Sequence, residues 1–179
     1  MAEVLIDKLV RQGRTLCLAE SCTGGRASHI ICQQPGASRA FLGSVVSYDN
    51  RVKQDLLGVD HNLIESHGAV SAEVALAMAE GALQATGADY VASFTGIAGP
   101  GGGSPDKPVG TLYIAWGQTE HLQIHGFFIK RGRVSFQNLA AYLGLDLLRR
   151  LITPIQTPPP YFSELSLSTA STIASRSPD

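Results

Sequence analysis

The apolar positions along the chain change period several times, and each change marks an element. Val4, Leu5 and Leu9 recur at helical spacing before Gly13, a common helix stop, so a short helix is predicted over residues 4–12. The apolar run at residues 15–18 reads as a strand. It leads directly into Ala19-Glu20-Ser21-Cys22-Thr23-Gly24-Gly25, and the helix-like Arg26-Ala27-Ser28-His29-Ile30-Ile31 follows. This is a strand ending in a glycine turn that opens a helix. Residues 34–38 make a turn, and residues 40–48 alternate and cluster β-branched and aromatic side chains, which predicts a second strand. Asp49 or Asn50 can cap a brief helix that carries Val52, Leu56 and Leu57 before Gly58. A further short helical pattern runs from residue 61 to residue 67. Ser71 then caps a stronger one, with Val74, Ala75, Met78 and Ala82 on one stripe and Glu73 in the first turn, where the helix dipole favours a carboxylate.

Residues 90–94 form a compact apolar strand that enters Thr95-Gly96-Ile97-Ala98-Gly99-Pro100-Gly101-Gly102-Gly103, a stretch too rich in glycine for regular structure. Two further strands, 110–116 and 122–129, are separated by Gly117-Gln118-Thr119-Glu120 and predict a hairpin. From 134 to 151, apolar residues at 136, 140, 143, 147 and 151 keep a helical period. Gly144 weakens that helix by roughly 1 kcal/mol relative to alanine. Helices between several strands, then a hairpin, predict an α/β fold: a three-layer-like sandwich with a mixed sheet of about five strands flanked by helices. Function is expected where the strand ends gather. Residues 1–153 read as one domain. Beyond them, Pro154, Pro158-Pro159-Pro160 and a Ser/Thr-rich stretch predict a flexible tail over 154–179.

Composition narrows the partners. A length of 179 residues suits one domain, and a body of ~150 residues buries about two thirds of the surface of its unfolded chain. Formal net charge is −1 with Lys and Arg scattered, so the basic stripe that nucleic acid requires is missing. The opening residues hold neither a signal-peptide pattern nor a long apolar stretch, which makes a cytoplasmic protein with no membrane association the default expectation. Cys17, Cys22 and Cys32 lack C-x-x-C spacing and lie near no histidine cluster, so neither a disulfide framework nor a zinc site is indicated. Cys17 and Cys32 read as small buried hydrophobes; Cys22 stays open. His29, His61, His67, His121 and His125 show no ligand spacing. No metal and no cofactor are expected.

Chemistry concentrates at three predicted strand ends: Ser21-Cys22-Thr23, Tyr48-Asp49-Asn50 with Lys53 beyond, and Thr95-Gly96. The glycine turn after the first strand can hold a hydroxyl (Ser21, Thr23) or a thiol (Cys22) beside free backbone N–H groups that stabilise negative charge. A serine hydroxyl needs a base, and no Ser, His and Asp arrangement stands out. Lys53 is the available alternative. It falls in the first turn of a helix, where the dipole and any burial disfavour its ammonium form. The bland readings are helix caps for Ser21 and Thr23, a solvated charge for Lys53, a packing residue for Tyr48 and an ordinary strand end for Thr95. Six glycines within residues 96–110 expose N–H groups suited to a phosphate or carboxylate, or make a tight connection. The loop is neither a Walker loop nor a G-x-G-x-x-G turn.

Five ordered motifs resemble the CinA C-terminal domain family, which includes the bacterial nicotinamide mononucleotide deamidases. They are residues 19–25, Tyr48-Asp49-Asn50-Arg51-Val52-Lys53 with Leu57-Gly58-Val59, His67-Gly68-Ala69-Val70-Ser71 with Met78-Ala79, Thr95-Gly96-Ile97-Ala98-Gly99-Pro100, and Lys107-Pro108-Val109-Gly110-Thr111. The resemblance covers roughly residues 3–151. It implies a homo-oligomeric, metal-independent serine amidohydrolase that converts nicotinamide mononucleotide to nicotinic acid mononucleotide and ammonia in pyridine nucleotide salvage. Ser21 then corresponds to the nucleophile and Lys53 to its base, with Tyr48 and Thr95 assisting. Thr23, Gly24, Gly25, Gly96, Ala98, Gly99 and Arg133 are the implied substrate-binding residues, the oxyanion being held at Thr23 to Gly25 or by the Gly96 loop. One position departs from the family pattern. Members carry Gly-Asp-Arg and a second arginine four residues later, whereas this chain has Gly132 before Arg133 and then Gln137. Loss of that guanidinium removes either a phosphate contact or an internal salt bridge. The competing readings are a non-catalytic nucleotide-binding or regulatory homologue, and a thiol amidase using Cys22.

Overall fold

The computed structural model describes residues 1–155 and 157–167. In chain order the elements are α1 (Ala2–Gln12), β1 (Leu16–Glu20), α2 (Arg26–Cys32), β2 (Phe41–Val46), α3 (Asn50–Leu57), α4 (His61–His67), α5 (Ala72–Thr86), β3 (Tyr90–Gly96), β4 (Thr111–Gln118), β5 (His121–Phe128), α6 (Arg133–Ile152) and α7 (Tyr161–Leu165). The strands form one five-stranded sheet in the order β2-β1-β3-β4-β5. β1 pairs parallel with both β2 and β3, whereas β3-β4 and β4-β5 are antiparallel. The mixed sandwich expected from the pattern is therefore present, and the predicted hairpin is β4-β5.

β1 shows why the sheet is covered on both sides. Every residue from Leu16 to Glu20 is buried, as a central parallel strand requires. Leu16 and Leu18 pack into a core with Leu5, Leu9, Ile31, Phe94 and Phe136, beneath α1, α2 and α6. Cys17 and Ala19 join the opposite core with Leu57, Ile64, Val74 and Met78, beneath α3, α4 and α5. Alternation along one short strand thus supplies both layers.

Two boundaries differ from expectation in ways that matter for the site. β1 runs on to Glu20, so the strand ends at the residue before Ser21. β2 stops at Val46, not at residue 48. Ser47 N–H still bonds the Glu20 carbonyl at 2.8 Å, but the carbonyls of Ser47 and Tyr48 turn to the Lys53 ammonium nitrogen instead of continuing a ladder.

Cys32, expected to be buried, is exposed; it is the last residue of α2, past the turn that packs through Ile31. Within the segment expected to be flexible, the described residues 157–167 include the short helix α7. There Tyr161 Oη donates to Asp146 at 2.9 Å, Phe162 stacks on His125 with ring centroids 4.2 Å apart, and Leu167 N–H donates to the Gly126 carbonyl at 2.9 Å. An aromatic cluster between β5 and α7, with Asp146 of α6 on the Tyr161 hydroxyl, holds this part of the chain, and proline content alone could not reveal it. Residues 168–179 of the expected tail lie outside the described residues. Among the described residues no helix is long and apolar enough to cross a membrane.

Candidate active site

Parallel pairing puts the C-terminal ends of β2, β1 and β3 side by side, and the chain leaves each of them into one cavity of about 260 Å³. Ser21 and Cys22 follow β1, Tyr48, Asn50 and Lys53 follow β2, and Thr95 to Gly99 close β3 and begin the glycine loop. Arg133, the first residue of α6, completes the wall. The crevice beyond the strand ends is where α/β sheets bind ligands. Thus Ser21, Tyr48, Lys53, Thr95, Gly96, Ala98, Gly99 and Arg133 are brought together. Thr23, Gly24 and Gly25 do not line the cavity.

Their absence has a local cause. The turn out of β1 is built on Gly24 and Gly25 at φ of 59° and 91°, a left-handed conformation that L side chains resist. Its donors are already engaged: Gly24 N–H bonds the Ser21 carbonyl at 3.1 Å, and Gly25 N–H bonds the Glu20 carboxylate at 3.0 Å. Glu20 also accepts from Ala27 N–H at 3.1 Å, from Ser28 N–H at 2.8 Å and from the Ser28 hydroxyl. This fully buried carboxylate closes the start of α2 from within the protein. Sequence reading passed over Glu20, although an acidic residue just ahead of a glycine turn and helix start was the available signal. Among the described residues, Cys22 N–H donates to no other residue, and Cys22 lines the cavity directly after Ser21, whereas Thr23 N–H lies against the Cys22 thiol in a buried residue off the cavity.

Lys53 is 1 % exposed, far from the solvated charge that a short helix usually carries. Its nitrogen donates to the Ser47 carbonyl at 2.9 Å and, at 3.4 Å each, to the Tyr48 carbonyl and Asn50 Oδ1. No carboxylate among the described residues forms an ion pair with it. Burial therefore holds the Lys53 amine below its ordinary value of 10.5, against the opposing pull of Asp49 and Cys22. A lysine in that state can accept a proton. Cys22 is the opposite case, because burial above all pushes its thiol up to about 12 and so suppresses the thiolate.

The remaining groups frame the cavity. Thr95 Oγ1 donates to the Ala69 carbonyl at 2.7 Å, so its hydroxyl ties β3 to the segment ahead of α5. Arg133 donates to the Gly99 carbonyl at 2.8 Å and to the Tyr48 hydroxyl, bridging the glycine loop and the chain after β2. The N–H groups of Ala98, Gly99, Gly101 and Gly102 donate to no other group among the described residues. Gln137 Nε2 donates to the Cys22 carbonyl at 3.0 Å and does not line the cavity. The residue that departs from the expected arginine supports the turn after β1 from behind.

Comparison with known proteins agrees with this fold. The family model described as the CinA C-terminal domain matches residues 1–152. The chain belongs to the CinA C-terminal domain family. A CinA-like protein of Desulfotalea psychrophila is 49% identical over 152 residues, which cover 85% of this chain and 37% of that relative. The chain thus spans little more than a third of the length of the curated relatives it matches. Among solved structures, a competence-damaged protein (CinA) superfamily protein from Klebsiella pneumoniae superposes with a TM-score of 0.82 at 26% identity, covering 86% of this chain and 96% of that one. A competence/damage inducible protein from Agrobacterium tumefaciens gives 0.78 at 34% identity, covering 84% and 94%.

Proposed function

We propose that this CinA-family chain is a serine amidohydrolase that cleaves the carboxamide of nicotinamide mononucleotide to nicotinic acid mononucleotide and ammonia. The observation that carries the reading is the pairing, in one cavity, of Ser21 with a buried lysine that lacks an ion-pair partner. Ser21 Oγ attacks the amide carbon as Lys53 takes its proton. The Cys22 N–H receives the oxyanion, and Lys53 returns the proton to the departing ammonia. Water, activated by the same amine, then releases the acid from Ser21. Arg133 and the free N–H groups of Ala98, Gly99, Gly101 and Gly102 supply positive potential for the substrate phosphate.

The test is ammonia release from nicotinamide mononucleotide by the native chain and by Ser21→Ala and Lys53→Ala. Each substitution is expected to lower kcat by roughly 10³-fold or more, since nucleophile and base act as a unit. Turnover that survives both changes overturns the mechanism, and native protein that binds the nucleotide without releasing ammonia overturns the activity.

A further inference from the structure

We infer that Glu20 is a positioning residue: its buried carboxylate holds the turn after β1 so that Ser21 and the Cys22 N–H keep their place at the cavity, the later N–H groups of the turn being engaged elsewhere. The inference rests on the serine-nucleophile reading above and adds a residue to it. Glu20 touches neither the cavity nor any group assigned to the chemistry.

Its placement follows from strand parity. Even-numbered residues of β1 face α1, α2 and α6, so the Glu20 side chain lies beneath the start of α2, while the alternation places Ser21 on the side of α3, which carries Lys53. The Glu20 carboxylate then gathers four donors from Gly25, Ala27 and Ser28. Both ends of the segment 21–24 are thereby clamped. At the front, Ser21 N–H donates to the Phe94 carbonyl at 2.9 Å, and the Glu20 carbonyl accepts from Ser47 N–H at 2.8 Å. At the back, the carboxylate fixes where α2 begins. Gln137 holds the middle through the Cys22 carbonyl, which turns that peptide's oxygen away from the cavity side.

A second consequence concerns specificity. A helix N-terminus ordinarily attracts an anion, but here the protein supplies its own. The anionic end of a substrate is thus directed to the glycine loop and Arg133 instead of to the start of α2. This leaves the reacting carbonyl at Ser21.

An isosteric glutamine retains one acceptor oxygen but turns an NH₂ group toward N–H donors, so part of the clamp becomes repulsive. Displacement of a catalytic group by about 1 Å costs on the order of 10²-fold in rate. The experiment compares native protein, Glu20→Gln and Ser28→Ala, with melting followed by circular dichroism. Rates of Ser21 labelling by a fluorophosphonate are measured well below each melting temperature. In that reaction the Oγ–P bond forms, the P–F bond breaks, fluoride leaves and the serine proton passes to Lys53. It needs the nucleophile and the oxyanion donor but no nucleotide site.

Glu20→Gln is expected to be labelled about 10²-fold more slowly. With nicotinamide mononucleotide, kcat falls comparably while KM stays within about twofold. Ser28→Ala, which removes only one of the donors, is expected to slow labelling about threefold. It keeps the inference open to test if Glu20→Gln does not fold. Labelling of a folded Glu20→Gln at the native rate overturns the inference, as does a loss no larger than its unfolded fraction. Unchanged labelling of Ser28→Ala has the same meaning where Glu20→Gln cannot be obtained. A native chain that resists labelling at Ser21 overturns the serine-nucleophile reading as well. Native labelling without nicotinamide mononucleotide turnover overturns only the choice of substrate.

Discussion

Lys53 Nζ lies 2.9 Å from the carbonyl oxygen of Ser47, whose own N–H is bonded to the residue immediately before Ser21. The amine and Ser21 are therefore referenced to the same pair of strand ends.

This placement fixes the direction of the pH dependence. In the proposed mechanism the neutral amine is the active form, so hydrolysis should increase with pH, with a midpoint below 10.5. For stability, the folded state sheds the Lys53 proton at lower pH than the unfolded chain. Burial of Lys53 therefore costs most below its folded-state value, and the cost is relieved as pH rises toward the unfolded one. Melts of native protein and Lys53→Met between about pH 7 and about pH 10 should show the balance moving toward the native chain, in the range where lysine titrates. A pH-independent difference contradicts this account.

The cysteines give a second, inexpensive check. Cys17 and Cys22 are buried and their thiols are pushed up, to about 11 and about 12, while Cys32 is exposed. Iodoacetamide on folded protein should modify Cys32 alone and leave turnover unchanged. Mass spectrometry locates the adduct. Loss of activity with modification at Cys22 would restore the thiol amidase.

Gly144 lies inside α6, where helix propensity alone favours alanine. A Cβ added there would sit 2.2 Å from Phe94 Cε1, on the strand that supports Thr95. Overpacking should outweigh the propensity gain, so Gly144→Ala is expected to destabilise by about 2 kcal/mol in denaturant melts. A stabilised variant would mean that Phe94 yields freely.

Tyr161 tests the docked C-terminal segment. Its hydroxyl reaches Asp146, which Arg149 and Arg150 also hold at 2.6 and 2.7 Å. Tyr161→Phe removes a hydrogen bond to a charged group and should lower stability by about 1–2 kcal/mol. Turnover should not change, because the segment packs on β5 and α6 away from the cavity. Equal stability would show that the contact contributes nothing measurable.

Much of this molecule was legible before any coordinates. Period changes located the helices and strands, because each element needs one face against the sheet and the spacing of apolar residues records that face. Tyr161 and Phe162 were not legible as a docking segment: their partners Asp146 and His125 are 15 and 37 residues away, and proline-rich surroundings mask the pattern. Cys32 failed for a related reason, since a cysteine's burial depends on where its helix stops.

What the sequence by itself determined was the family, the layered α/β fold and the identity of the chemical groups, since motif order and residue type are properties of the chain. Only the tertiary structure decided which N–H groups after β1 are free. It also decided that Lys53 is buried without an ion-pair partner, that Glu20 occupies the start of α2, and that Gln137 stands behind the turn instead of in the cavity. Hydrogen-bond partners and desolvation depend on segments far apart in sequence meeting at one sheet edge, and no local pattern encodes that meeting.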